Sequence, residues 1–153
     1  MQFVAELDSE SIDRLGGQAN VLIVGLAGAS GSGKSTVAKR VASRLNGHVI
    51  SMQNYSIVMN DLTLEERAKQ NYDAPHAIDV KLLESHIRDY AAGHAIEAPI
   101  CDFAKHLRVR DRTEHIPASS LLIVEGILAL CQPAVENPAV AISLGEAFTS
   151  HED

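Results

Sequence analysis

Apolar residues run almost unbroken through Val21-Leu22-Ile23-Val24-Gly25-Leu26-Ala27 and again through Leu121-Leu122-Ile123-Val124. Such runs, without alternation, predict strands buried on both faces, as in a parallel sheet covered by helices. His48-Val49-Ile50-Ser51-Met52 predicts a shorter strand. Between strands the period changes. Val37, Val41 and Leu45 fall on one face of a helix predicted from Ser35 to Leu45, with Gly47 closing it. Thr63-Leu64-Glu65-Glu66 matches a capping box opening a helix to about residue 70. Asp79 is a plausible N-cap for a helix from Val80 to Ala92, stopped by Gly93 and buried through Leu82, Leu83, Ile87 and Tyr90. Segments around Pro99-Ile100-Cys101 and Leu107-Arg108-Val109-Arg110 predict a β-hairpin leaving the sheet.

The first strand and first helix enclose Gly28-Ala29-Ser30-Gly31-Ser32-Gly33-Lys34-Ser35, which satisfies G-x-x-x-x-G-K-[ST] in the strand–loop–helix context the motif requires. Glycines 28, 31 and 33 are expected to adopt positive φ, so that backbone N–H groups converge on phosphate oxygens at the positive end of the helix. Lys34 is placed to bridge the outer phosphates, Ser35 to ligate Mg²⁺ and Thr36 to donate to an inner phosphate. Position 53 follows a strand at the carboxyl edge of the sheet, where open α/β folds bind ligands. Glu125 ends another strand and suits a second Mg²⁺-linked carboxylate; the alternative is a strand-ending carboxylate in solvent. Arg108, Arg110 and Arg112 are either substrate-facing or one solvated strand face, and their alternation favours the solvated face.

At 153 residues and a net charge of −7, the chain is expected to form one domain over residues 21–153, preceded by an arm at 1–20. An acidic chain without a basic stripe argues against nucleic acid and for a small anionic ligand. The first residues lack signal-peptide character and no apolar run approaches a bilayer span, so a soluble, cytoplasmic protein without a membrane partner is expected. Cys101 and Cys131 form no C-x-x-C pair and are expected as reduced thiols, not metal ligands.

From about residue 21 to 131 the sequence resembles the uridine kinase (uridine-cytidine kinase) family, within the phosphoribulokinase group of P-loop kinases. Besides the loop, Glu65-Glu66-Arg67, Asn71-Tyr72-Asp73-Ala74-Pro75-His76-Ala77-Ile78-Asp79, Leu82-Leu83, Pro99-Ile100-Cys101-Asp102-Phe103-Ala104-Lys105-His106-Leu107-Arg108 and Glu125-Gly126-Ile127-Leu128-Ala129-Leu130 match in order. The resemblance implies a three-layer α/β P-loop fold: a parallel sheet, helices on both faces, and a hairpin over the nucleoside. It implies use of ATP or GTP with Mg²⁺ to phosphorylate the 5′-hydroxyl of uridine or cytidine. Asp73 would hold the ribose hydroxyls, Phe103 would pack near the base, His106 would bond the pyrimidine edge, and Arg108 would supply positive charge.

Three departures bear on activity. Gln53 of Ser51-Met52-Gln53-Asn54-Tyr55-Ser56 stands where the family carries its Asp base, and a carboxamide cannot usefully accept a proton near neutral pH. Cys101 replaces a base-contacting Tyr, losing an aromatic face and a strong hydrogen bond. Glu146 to Asp153 carry no arginine, so the family's arginine-rich lid is expected to be missing and the C-terminal part shortened. The rival expectation is a catalytically silent nucleotide-binding module. As partners, a homo-oligomer or pairing with a full-length kinase are both compatible with it.

Overall fold

The computed structural model describes residues 21–57, 59, 61–72, 74–127, 129 and 140–144. The expected arm at 1–20, Asp73 and Cys131 lie outside the described residues. Parallel strands β1 (Leu22–Gly28), β2 (His48–Ser51), β5 (Leu121–Gly126) and β6 (Val140–Leu144) form one sheet in the order β2-β5-β1-β6. Strands β3 (Ile96–Asp102) and β4 (Leu107–Ile116) form a separate antiparallel hairpin. The helices are α1 (Lys34–Arg44), α2 (Leu64–Ala68) and α3 (Val80–Ala91), with a 3₁₀ turn at Met52–Tyr55 directly after β2.

Side-chain alternation along β5 explains its uninterrupted apolarity. Leu121 and Ile123 point into a core with Val24, Leu26 and the α1 residues Ala38 and Ala42. Leu122 and Val124 point into the opposite core, with Ile50, Tyr55 and the α3 residues Leu83, Ile87 and Tyr90. Both faces of the sheet are therefore covered by helix, as the apolar runs require. Tyr90 meets its polar obligation at the core edge by donating to the Pro117 carbonyl at 2.9 Å, with Ser119 Oγ at 2.7 Å.

Two expectations about α1 hold in part. Its buried face is Lys34, Ala38 and Ala42, while Val41 and Leu45 are 38% and 57% exposed. The small residues let the helix lie close on the sheet, and of the three larger residues on the expected face Val37 packs against this core. Gly47 does close the helix, its N–H donating to the Ala42 carbonyl at 2.8 Å, but the left-handed residue is Asn46 (φ 52°), and glycine is needed at 47 because a Cβ there would lie 2.7 Å from the Leu121 side chain. By contrast α2 starts with the complete Thr63–Glu66 capping box, ending at Ala68, and Asp79 caps α3 by accepting the Leu82 N–H at 3.2 Å.

The strand order changes direction at β1, since the chain passes outward to β2, later fills the gap with β5, and then crosses to β6. The carboxyl ends of β1, β2 and β5 carry the glycine loop, the 3₁₀ turn and Glu125 respectively. Crevices at such a crossing are where open α/β sheets hold ligands.

Candidate active site

The glycine loop leads from β1 into α1 with Gly31 at φ 77° and Gly33, the N-cap, at φ 87°. Open space surrounds both Cα atoms, so the backbone angle, not crowding, selects glycine there. Gly28 differs from expectation: it is the last residue of β1, in extended backbone. Ser32 N–H donates to the Ala29 carbonyl at 3.2 Å, closing the loop. The α1 N-terminus carries no side-chain cap and no acidic residue in its first turn, leaving backbone donors for an anion. Ser30, Ser35 and Thr36 are exposed along this mouth. Lys34 is only 7% exposed, and its Nζ donates to the Ala29 carbonyl at 3.2 Å. Glu125, 5% exposed, lies beside Leu26 and Ser51 in the sheet register. It is thus buried, not a solvent-facing strand end.

A cavity of about 190 Å³ opens beside the 3₁₀ turn and the hairpin. Gln53, Cys101, Phe103, His106 and Arg108 all line it, together with Tyr72. The hairpin tip that supplies Phe103 and His106 is shaped by Asp102, whose Oδ1 accepts the N–H groups of Ala104 at 3.1 Å and Lys105 at 3.3 Å. His106 adopts φ 49° there, and its ring stacks on Tyr72 with centroids 5.2 Å apart and planes 11° from parallel. Phe103 stands at the rim, 57% exposed.

Arg108 departs from the expected solvated face. Its Nη2 donates to the Ser56 carbonyl at 3.1 Å and lies 3.6 Å from Asp79 Oδ2, whereas Arg110 and Arg112 are exposed. The cause is a bulge: β4 pairs Thr113 with Pro99 but Arg108 with Cys101, and Asp111 between them takes φ 58°. Alternation cannot persist through a bulge. Cys101 faces the turn, its N–H donating to Asn54 Oδ1 at 3.3 Å and its thiol to the Asn54 carbonyl at 3.4 Å. Burial pushes the thiol above its ordinary pKa, against a smaller opposing effect of Arg108.

Sequence reasoning assigned no role to Tyr72 or Asn54, although both lie within the quoted motifs. The signal was available in part: Tyr72 adjoins a position given to the ribose. Its stacking on a histidine in another element was not readable. The Tyr72 hydroxyl and Arg108 Nε are buried without a hydrogen-bond partner among the described residues.

A family model described as phosphoribulokinase / uridine kinase matches residues 23–141. The chain belongs to this family. A uridine kinase of Staphylococcus haemolyticus is 41% identical over 115 residues, covering 73% of this chain and 55% of that protein. One from Ligilactobacillus salivarius is 38% identical over 119 residues, covering 76% and 55%. The chain therefore spans about half the length of the curated relatives it matches. Among solved structures, a Silicibacter protein described as a candidate fructose transport system kinase aligns with TM-score 0.68 at 22% identity, over 90% of this chain and 72% of its own. A Bacillus stearothermophilus protein described as a possible uridine kinase aligns with TM-score 0.59 at 19% identity, over 90% and 81%. These likenesses establish the fold: an α/β P-loop kinase architecture.

Proposed function

We propose that this chain binds ATP or GTP at Gly28–Thr36 and transfers the γ-phosphoryl group to the 5′-hydroxyl of a pyrimidine nucleoside held in the cavity between the 3₁₀ turn and the hairpin. The observation that carries this reading is the convergence of Gln53, Cys101, Phe103, His106 and Arg108 on one cavity, from a strand end and a hairpin far apart in sequence. In the proposal Lys34 neutralises the outer phosphates while the loop amides hold the inner ones. His106, stacked on Tyr72, presents a ring nitrogen to the base edge, and Phe103 covers the rim. Asp73 is proposed to hold the ribose hydroxyls, and Arg108 to supply positive charge beside the acceptor.

Ser35 and Glu125 offer the hard oxygen donors that Mg²⁺ prefers, and a metal bound mainly through phosphates needs no larger protein cage. When bound with the nucleotide, Mg²⁺ would neutralise charge on the phosphate oxygens. Gln53 orients the acceptor hydroxyl in this scheme but takes no proton. That residue favours a second reading, a nucleotide-binding module without turnover. Measuring ATP consumption with uridine, with cytidine and with no acceptor, beside titration of a non-hydrolysable ATP analogue, separates the two. Acceptor-dependent consumption supports the kinase; analogue binding without consumption supports the silent module.

A further inference from the structure

The 3₁₀ turn that presents Gln53 is fastened to α3 by Tyr55 and His86, neither of which lines the cavity. Tyr55, two residues after Gln53, has no exposed surface, and its hydroxyl lies 2.9 Å from His86 Nδ1. The two rings also meet edge to face, with centroids 5.6 Å apart and planes at 76°. The Tyr55 carbonyl accepts the Asp79 N–H at 2.7 Å, so both the backbone and the side chain of this residue are tied to the start and middle of α3. Beyond His86 lies an open cleft of about 700 Å³, bordered also by Glu97, Arg108 and Arg112. Arg108 borders both this cleft and the inner cavity.

The direction of the hydrogen bond follows from burial. A buried phenol needs an acceptor for its proton, and Nδ1 is the acceptor within reach, so the imidazole carries its own proton on Nε2. Burial holds His86 below its ordinary pKa and hence neutral at pH 7. The charges around it act in both directions: Asp89 and Asp79 favour its protonation, and Arg108 opposes it.

We propose that His86 is a positioning residue of the acceptor site, fixing through Tyr55 the turn that carries Gln53 and Asn54 against the cavity wall. This rests on the nucleoside-kinase reading above for its functional consequence. The structural consequence stands apart from it, because the same turn covers the Cys101 thiol through the Asn54 carbonyl. Loosening the turn uncovers that thiol.

The test compares Tyr55→Phe, His86→Ala, His86→Asn and the Tyr55→Phe/His86→Ala pair with the parent protein. Three quantities are measured well below the melting temperature: uridine affinity, ATP-analogue affinity, and the alkylation rate of the Cys101 peptide by mass spectrometry. Losing one buried hydrogen bond is expected to weaken uridine binding about fivefold and to accelerate Cys101 alkylation similarly. ATP-analogue affinity should hold. His86→Asn, whose side-chain oxygen can occupy the Nδ1 position, should restore both readouts, and the double variant should be no worse than either single one. Unchanged alkylation in a folded His86→Ala protein, or additive effects in the double variant, would overturn the proposal and leave His86 as a packing residue. A parent that binds no uridine sinks the nucleoside reading, and the alkylation rates then decide the clamp alone.

Discussion

Lys34 is a cation held almost out of water with one carbonyl as its hydrogen-bond acceptor among the described residues. A buried charge is costly unless paired, so a phosphate anion at the loop would complete its environment. Lys34→Ala is therefore expected to weaken ATP-analogue binding by at least about tenfold, as loss of a charged hydrogen bond implies, while uridine affinity stays constant. Equal nucleotide affinity in a calorimetric titration would overturn the loop assignment. Cys101 poses the opposite problem, since burial disfavours its charged form. Its folded pKa lies above the unfolded value, so the thiol's contribution to stability is whole below the unfolded pKa and fades as pH rises through the folded one. Alkylation of Cys101 in the native protein should accordingly be slower than in the denatured chain at pH 8, and should keep rising with pH beyond the ordinary thiol range. A native rate matching the denatured rate would refute the burial argument. The left-handed Gly31 and Gly33, the place of Lys34 at the start of α1 and that of Gln53 at a cavity were legible because motif spacing is local. The inward turn of Arg108 was not, because it depends on a bulge defined by pairing with another strand.

At the scale of elements, what could be read were β1, β5 and the capped helices, each encoded by contiguous apolarity or by a cap within its own sequence. The packing face of α1 was legible only through Val37, because Ala38 and Ala42 contribute by closeness to the sheet, not by side-chain size. Close approach also governs the end of β5. A Cβ at Gly126 would lie 2.9 Å from Met52 Cβ and 3.1 Å from its Cγ, at the first residue of the turn that carries Gln53. Neither atom is the free end of a flexible side chain, so the turn itself must yield. Gly126→Ala is expected to cost about 1–3 kcal/mol of stability and to weaken uridine binding more than ATP-analogue binding. Chemical denaturation with paired titrations checks this. A variant as stable as the parent, with unchanged uridine affinity, would show that β5 and the turn are less tightly apposed than the geometry indicates.

Across the whole molecule, the proposed reading puts donor and acceptor on different strands of the sheet. The nucleotide loop follows β1 and the Gln53 turn follows β2, with β5 and its terminal Glu125 between them. Two strand spacings separate loop from turn, about 10 Å, so the reacting groups of two bound substrates would meet above β5. This division makes binding separable and transfer joint. If the acceptor site lacks only a base, Gln53→Asp supplies a carboxylate on a turn already fastened by Tyr55, Asn54 and Arg108. Phosphoryl transfer to uridine or cytidine should then rise, with a positioned general base contributing about 10² to 10⁴-fold. The gain should follow the ionisation of the new carboxylate, falling away below its pKa, and should vanish in Gln53→Asp/Lys34→Ala because the donor is no longer held. Initial rates with each nucleoside across pH 5 to 8 measure both effects. A folded Gln53→Asp protein that binds both substrates yet turns over no faster would mean that proton transfer is not what limits this chain. A parent that is already fast and slows on the substitution would place the base elsewhere, and Glu125, the buried carboxylate at the end of β5, would be the next to remove.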